Sequence, residues 1–147
     1  MNYSPYKKEF TISTDKRKIN IRYVHNFLSN SYWAEGIPIQ VVKRAIKNSL
    51  CFALYHGQDQ IGFARMVTDR ATFAYLADVF IDEKFRGHGL SKWLLETIMA
   101  HPDLQGLRRI MLATRDAHTL YNKFGFTQLP SVERWMQIHN QDVYKIK

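Results

Sequence analysis

The chain has a single cysteine, Cys51, set in the apolar run Leu50-Cys51-Phe52-Ala53-Leu54. One cysteine excludes an intramolecular disulfide and a cysteine-based metal cluster, and its apolar neighbours mark it as a small buried hydrophobe rather than a nucleophile. No apolar stretch approaches the roughly 20 residues that cross a bilayer. The start, Met1-Asn2-Tyr3-Ser4-Pro5, lacks the apolar core of a signal peptide. Internal repeats, low-complexity tracts and linkers rich in proline, glycine or serine are also missing. These absences lead us to expect one soluble, cytoplasmic domain over residues 1–147, with no metal and no membrane partner.

Acidic residues are in the minority, 13 Asp and Glu against 21 Lys and Arg, for a formal net charge of +8. Such a balance attracts nucleic acid, an anionic surface or a phosphate-rich small molecule, and by itself selects none of them. Two basic runs, Lys7-Lys8 and Lys16-Arg17-Lys18, read as solvated surface and turn. What the chain has in quantity is apolar residues, at 46%, and aromatics, at 14%, enough to build a core.

Their spacing predicts the elements. Residues 10–13 alternate apolar and polar, as a half-buried strand does. Ile21, Val24, Phe27 and Leu28 recur at helical spacing behind Asn20, a suitable N-cap. Pro38 fits the first turn of a second helix that aligns Ile39, Val42 and Ile46. Residues 50–55, 60–68 and 72–81 read as three strands joined by the short turns His56-Gly57-Gln58-Asp59 and Asp69-Arg70-Ala71. A third helix aligns Leu90, Trp93, Leu94 and Ile98 and ends at Pro102. Residues 109–114 form a further strand, and Asp116 is placed to cap a short helix ending at Gly125. Residues 126–127 and 134–138 are weaker strand candidates. The expected order is β-α-α-β-β-β-α-β-α-β-β, an α/β domain with a mixed sheet of six to seven strands and about four helices. Hairpins make the central strands antiparallel, and the later β-α-β crossover makes one pair parallel.

One segment carries the chemistry: Leu76-Ala77-Asp78-Val79-Phe80-Ile81-Asp82-Glu83-Lys84-Phe85-Arg86-Gly87-His88-Gly89-Leu90-Ser91. A strand runs into a turn with two glycines and then into an amphipathic helix. Glycine lets backbone approach a ligand, and a helix start offers unpaired N–H groups with partial positive charge. Together they suit a pyrophosphate. A ligand-free tight turn explains two glycines almost as well. The segment is neither a P-loop, lacking Gly-Lys-Ser/Thr, nor a dinucleotide fingerprint, lacking a third glycine.

Arg86-Gly87-His88-Gly89-Leu90-Ser91 resembles the phosphate-binding signature of the GNAT superfamily of N-acetyltransferases, Gln/Arg-x-x-Gly-x-Gly/Ala, with serine at the last position. Downstream, Ala113-Thr114-Arg115-Asp116-Ala117-His118-Thr119-Leu120-Tyr121-Asn122-Lys123-Phe124-Gly125-Phe126 resembles the family's second cofactor-facing segment. The element order is similar along nearly the whole chain. The resemblance implies acetyl-CoA as co-substrate and an amine as acceptor, joined by direct attack in a ternary complex. It implies that backbone groups of Val79, Phe80 and Ile81 pair with the pantetheine arm. Arg86, Gly87, His88, Gly89, Leu90 and Ser91 would hold the pyrophosphate, and Tyr121 would give a proton to the departing thiolate.

A base that takes the acceptor's proton is not singled out. Some relatives carry a glutamate where this chain has Tyr75. Asp78 is the candidate put forward here, with Glu35 and His118 as others. Tyr32, Trp33 and Glu35 fall where the family builds its acceptor wall, and a homodimer is compatible with the resemblance. Two other readings stay open: a protein of this fold that binds CoA without catalysis, and a basic nucleic-acid-binding module. Against the latter stands the lack of a dense basic helix face or a nucleic-acid motif.

Overall fold

The computed structural model describes residues 9–145, so the start of the chain and the Lys7-Lys8 run lie outside the described residues. Strand β1 (Phe10–Ser13) leads through the charged turn at Lys16–Lys18 to α1 (Ile21–Ser29). The Asn20 carboxamide accepts from the Tyr23 N–H at 3.0 Å and caps that helix. Helix α2 (Ile39–Lys47) starts directly after Pro38. Strands β2 (Leu50–His56), β3 (Asp59–Thr68) and β4 (Phe73–Ile81) then form an antiparallel meander. The β3–β4 turn is fixed by Asp69, whose carboxylate accepts from the N–H groups of Ala71, Thr72 and Phe73. Helix α3 (Leu90–Met99) crosses over to β5 (Arg109–Leu112), which lies parallel to β4, and α4 (His118–Asn122) follows.

The sheet order is β1-β2-β3-β4-β5. Helices α1 and α2 cover one face, where Val24, Leu28, Val42 and Ile46 pack on Cys51, Ala53, Phe63 and Phe80. Helix α3 covers the other, where Leu90, Leu94, Leu95 and Ile98 pack on Phe52, Leu54, Met66 and Leu76. Burial on both faces explains why β2 reads as a continuous apolar run instead of alternating. No helix among the described residues is long and apolar enough to cross a membrane.

Two expectations change. The sheet has five strands among the described residues, not six or seven, because residues 126–127 and 134–138 pair with nothing. The Phe126 N–H donates to the Tyr121 carbonyl at 3.3 Å and its ring packs edge-on against Tyr121, so this residue closes α4. Trp135 is drawn onto the Arg109 guanidinium, 4.6 Å from the ring centre, while Met136 and Ile138 stand in solvent. Asp116 does not cap α4. The helix starts after Ala117 with no side-chain cap, and the Thr114 hydroxyl accepts from the Ala117 N–H at 3.1 Å in the turn before it.

Candidate active site

The β4–β5 ladder runs from Phe73↔Arg109 to Leu76↔Leu112 and stops there, whereas β4 continues to Ile81. Beyond Leu76 the side of β4 that faced β5 has no strand partner among the described residues. Val79, Phe80 and Ile81 therefore lie on a stretch of β4 that runs past the end of β5. Their side chains are engaged in the core. Phe80 stacks on Phe27 with ring centres 3.8 Å apart, and Ile81 and Val79 pack on the α3 side.

A bulge marks the start of this stretch. The β3–β4 register jumps from Arg65↔Ala77 to Phe63↔Phe80, so two residues of β4, Asp78 and Val79, oppose one of β3. Asp78 takes a left-handed conformation, φ 55°, which aspartate tolerates better than most residues. The kink turns its carboxylate toward the α1–α2 face. There Oδ2 accepts from Arg65 Nε at 2.9 Å and Oδ1 from Trp33 Nε1 at 2.9 Å. Arg65 in turn donates to the Ser49 hydroxyl at 3.1 Å. Both oxygens of the candidate base are thus already accepting hydrogen bonds, and Asp78 ties the loop between α1 and α2 to the sheet.

At the far end of β4, a short turn at Glu83–Phe85 leads into Arg86. The Arg86 Nε donates to the Ile81 carbonyl at 2.9 Å, pinning the guanidinium at the end of β4. Gly87 and Gly89 both have left-handed φ, 82° and 77°, which L side chains rarely adopt. A Cβ added at either would meet nothing within 4 Å, so the backbone here faces open space. Gly89 starts α3 with no side-chain cap, leaving the first N–H groups of that helix to another acceptor. Open backbone at a helix start beside an arginine is the kind of surface that can accept an anion. Leu90 is buried and anchors the helix start, while His88 is exposed.

Tyr121, on α4 just after β5, is buried among core residues. Burial pushes its phenol above the usual value, and the nearby Tyr32 adds to the shift. Tyr32 and Trp33 remain 54% and 43% exposed although both are large aromatics. The Arg115 guanidinium lies 3.9 Å from the Tyr32 ring centre, a cation–π contact between the two loops. The structure therefore brings Tyr32, Trp33, Asp78 and Tyr121 into one neighbourhood. Glu35 and His118 are exposed and no bond ties them to that group. Arg65 and Arg115 are the site residues that sequence reasoning missed. Among the described residues no group of His, Cys, Asp or Glu could hold a metal ion.

A hollow of about 350 Å³, lined by Arg108, Arg109, Arg134 and Trp135 among others, lies at the opposite end of β4 and β5 from the glycine turn. Its place excludes it from the chemistry just described.

Known proteins resemble this chain in sequence and fold. Residues 47–128 match the family model of the acetyltransferase (GNAT) domain, which takes in β2 to α4 and hence the end of β4, the glycine turn and Tyr121. A Xanthomonas campestris pv. campestris protein, described as "a putative acetyltransferase belonging to the gnat family", is 46% identical, and the match covers 93% of this chain and 97% of that one with a TM-score of 0.91. "Putative acetyltransferase FG08082" of Gibberella zeae is 31% identical, over 78% of this chain and 77% of its own. The fold is also that of a GNAT family acetyltransferase from Elizabethkingia anophelis solved with acetyl-CoA bound, 16% identical, over 81% of this chain and 76% of that one with a TM-score of 0.61. With the glycine turn and Tyr121 inside a matched segment that spans more than half of the chain, the chain belongs to the GNAT acetyltransferase family.

Proposed function

We propose that this protein transfers an acetyl group from acetyl-CoA to an amine, and that the acceptor enters beside Tyr32 and Trp33. The observation that carries the reading is the run of β4 from Ala77 to Ile81 past the end of β5, followed by the glycine turn and the uncapped start of α3. An extended pantetheine arm needs a strand edge, and a pyrophosphate needs unpaired N–H groups. This chain offers both in sequence, the strand edge at the end of β4 and the N–H groups at the start of α3.

Bound acetyl-CoA would supply an acyl group already activated as a thioester. The chain's own residues do the rest. Arg86 and the N–H groups of Gly87, His88, Gly89, Leu90 and Ser91 hold the phosphates, with Arg86 adding a charge-assisted contact. Backbone N–H groups near Val79 and Phe80 face the charge that develops on the acyl oxygen. Tyr121, kept protonated by burial, gives its proton to the leaving sulfur. Asp78 orients Trp33 and neutralises Arg65, so in this scheme it shapes the acceptor wall, and the amine's proton leaves through water.

The test is a thiol-release assay with acetyl-CoA across a broad amine panel, with the acetylated product identified by mass. Thiol release that depends on both enzyme and amine is expected. Binding of acetyl-CoA with no release on any amine would favour a CoA-binding protein without catalysis.

A further inference from the structure

The loop between α1 and α2 meets the loop between β5 and α4 at one charged contact. The Arg115 guanidinium lies 3.9 Å from the centre of the Tyr32 ring. A central carbon that close sits flat on the ring, because an N–H edge turned inward would have no room. The face of the guanidinium is thus occupied, and its in-plane N–H donors point away from the ring. Among the described residues Arg115 enters no ion pair and no side-chain hydrogen bond. Arg65, by contrast, is paired with Asp78.

The surroundings of Arg115 are those of a binding wall. Tyr32 and Trp33 meet edge to face, ring centres 5.1 Å apart, and both are exposed. Trp33 is held from behind by the Phe27 ring and by its bond to Asp78. The Asp78 carboxylate is committed to Trp33 and Arg65 through both oxygens, so it is not a counter-charge for Arg115. Tyr32 lies near enough to Tyr121 to raise its pKa, and Arg115 stands on the segment that leads into α4 and Tyr121. Small-ligand sites are built in this way, from aromatic walls with a few convergent polar groups. An arginine whose donors are open selects, among such ligands, an anion with two oxygens to offer.

We infer that the amine acceptor carries an acidic group, a carboxylate or a phosphate, and that Arg115 recognises it. The inference rests on the acetyl-transfer reading and adds to it the class of acceptor. Stacking on Tyr32 already restrains the guanidinium, so less side-chain freedom is lost when the acid group binds. With that group held on Arg115, the acceptor presents its amine along the wall of Tyr32 and Trp33 toward Tyr121. Removing a charge-assisted pair of this kind weakens binding by roughly 10–100-fold.

Amines matched except for charge test it on the full chain: β-alanine against its amide, and 2-aminoethyl phosphate against ethanolamine. The acidic member should have the higher kcat/KM by roughly 10–100-fold, and the pair with the larger gap tells carboxylate from phosphate. Arg115→Gln should remove most of that ratio by raising KM for the acidic amine, and Arg115→Lys should restore part of it. A wild type that does not prefer the acidic member of either pair overturns the inference, and so does a folded Arg115→Gln protein that keeps the ratio. If Arg115→Gln does not fold, Arg115→Lys decides: a point charge without the planar fork should keep only part of the preference, and the full preference there overturns the role of Arg115. If acetyl-CoA raises the melting temperature but no amine is acetylated, it is the acetyl-transfer reading that fails. Direct binding then decides whether Arg115 takes an acid group. N-acetyl-β-alanine should shift the Trp33 indole N–H resonance in wild type and not in Arg115→Gln, and no shift in wild type overturns the inference.

Discussion

At Tyr121 a single oxygen separates a core residue from an acid. Tyr121→Phe keeps the ring among its neighbours, so its melting temperature should stay close to wild type. If the hydroxyl gives its proton to sulfur, kcat should fall by roughly 10²–10⁴-fold while acetyl-CoA affinity changes little. Wild-type kcat, measured with chemistry rate-limiting, would return Tyr121 to the core. The sign of its shift adds a pH test. Burial raises this pKa, so the proton is retained to higher pH than in an ordinary tyrosine, which titrates near 10. Any loss of kcat between about pH 8 and 9 must then come from another group and persist in the Phe variant. Asp78 is tested by Asp78→Asn. A positioning role leaves the shape of the pH–rate profile intact, raises the acceptor KM and lowers stability, because Arg65 loses its counter-charge in a largely buried place. Disappearance of the acid limb of the profile would instead make Asp78 the base. Cys51 should be silent: burial pushes its thiol up to about 11, so a thiol reagent at about pH 8 should label it only after unfolding. That silence also keeps a thiol-release assay free of background.

Among the elements, those set by local chemistry were legible and those set by distant partners were not. Asn20 caps α1, Pro38 precedes α2, and the Asp69 turn joins β3 to β4, each as its residue types dictate. Asn20→Ala should therefore cost about 1 kcal/mol, read as a lower melting temperature. The glycine turn was legible for the same reason. Gly89→Val places a β-branched residue at φ 77° and directs its side chain into open space. Acetyl-CoA affinity should fall more than stability, and a folded variant with wild-type affinity would remove Gly89 from the site. In contrast, the Trp33–Asp78 bond spans 45 positions, and nothing local to either residue announces it. The bulge at Asp78 breaks the apolar pattern of β4, a signal visible in the sequence but open to several meanings. The expected strand at residues 134–138 has the right alternation and lacks a strand partner among the described residues. Alternation reports what a segment can bury, not where the surface that buries it lies.

For the molecule as a whole, the family and the proposed cofactor end of the site follow from a few backbone features, whereas the proposed acceptor end depends on loops brought together by folding. Tyr32, Trp33 and Arg115 meet there through contacts between separate loops. The excess positive charge, which by itself selected no partner, is compatible with a phosphate-rich donor. The central claim is that the end of β4 beyond β5, together with the Arg86–Ser91 turn, is an acetyl-CoA site. A melting experiment tests it most directly, since a ligand that binds only the folded chain stabilises it by mass action. With acetyl-CoA at about 100 times its Kd the gain is about 2.7 kcal/mol, or roughly 5–11 °C for a domain of this size. The account predicts that rise for wild type and a much smaller one for Gly89→Val at the same concentration. No rise for wild type at millimolar acetyl-CoA would contradict it.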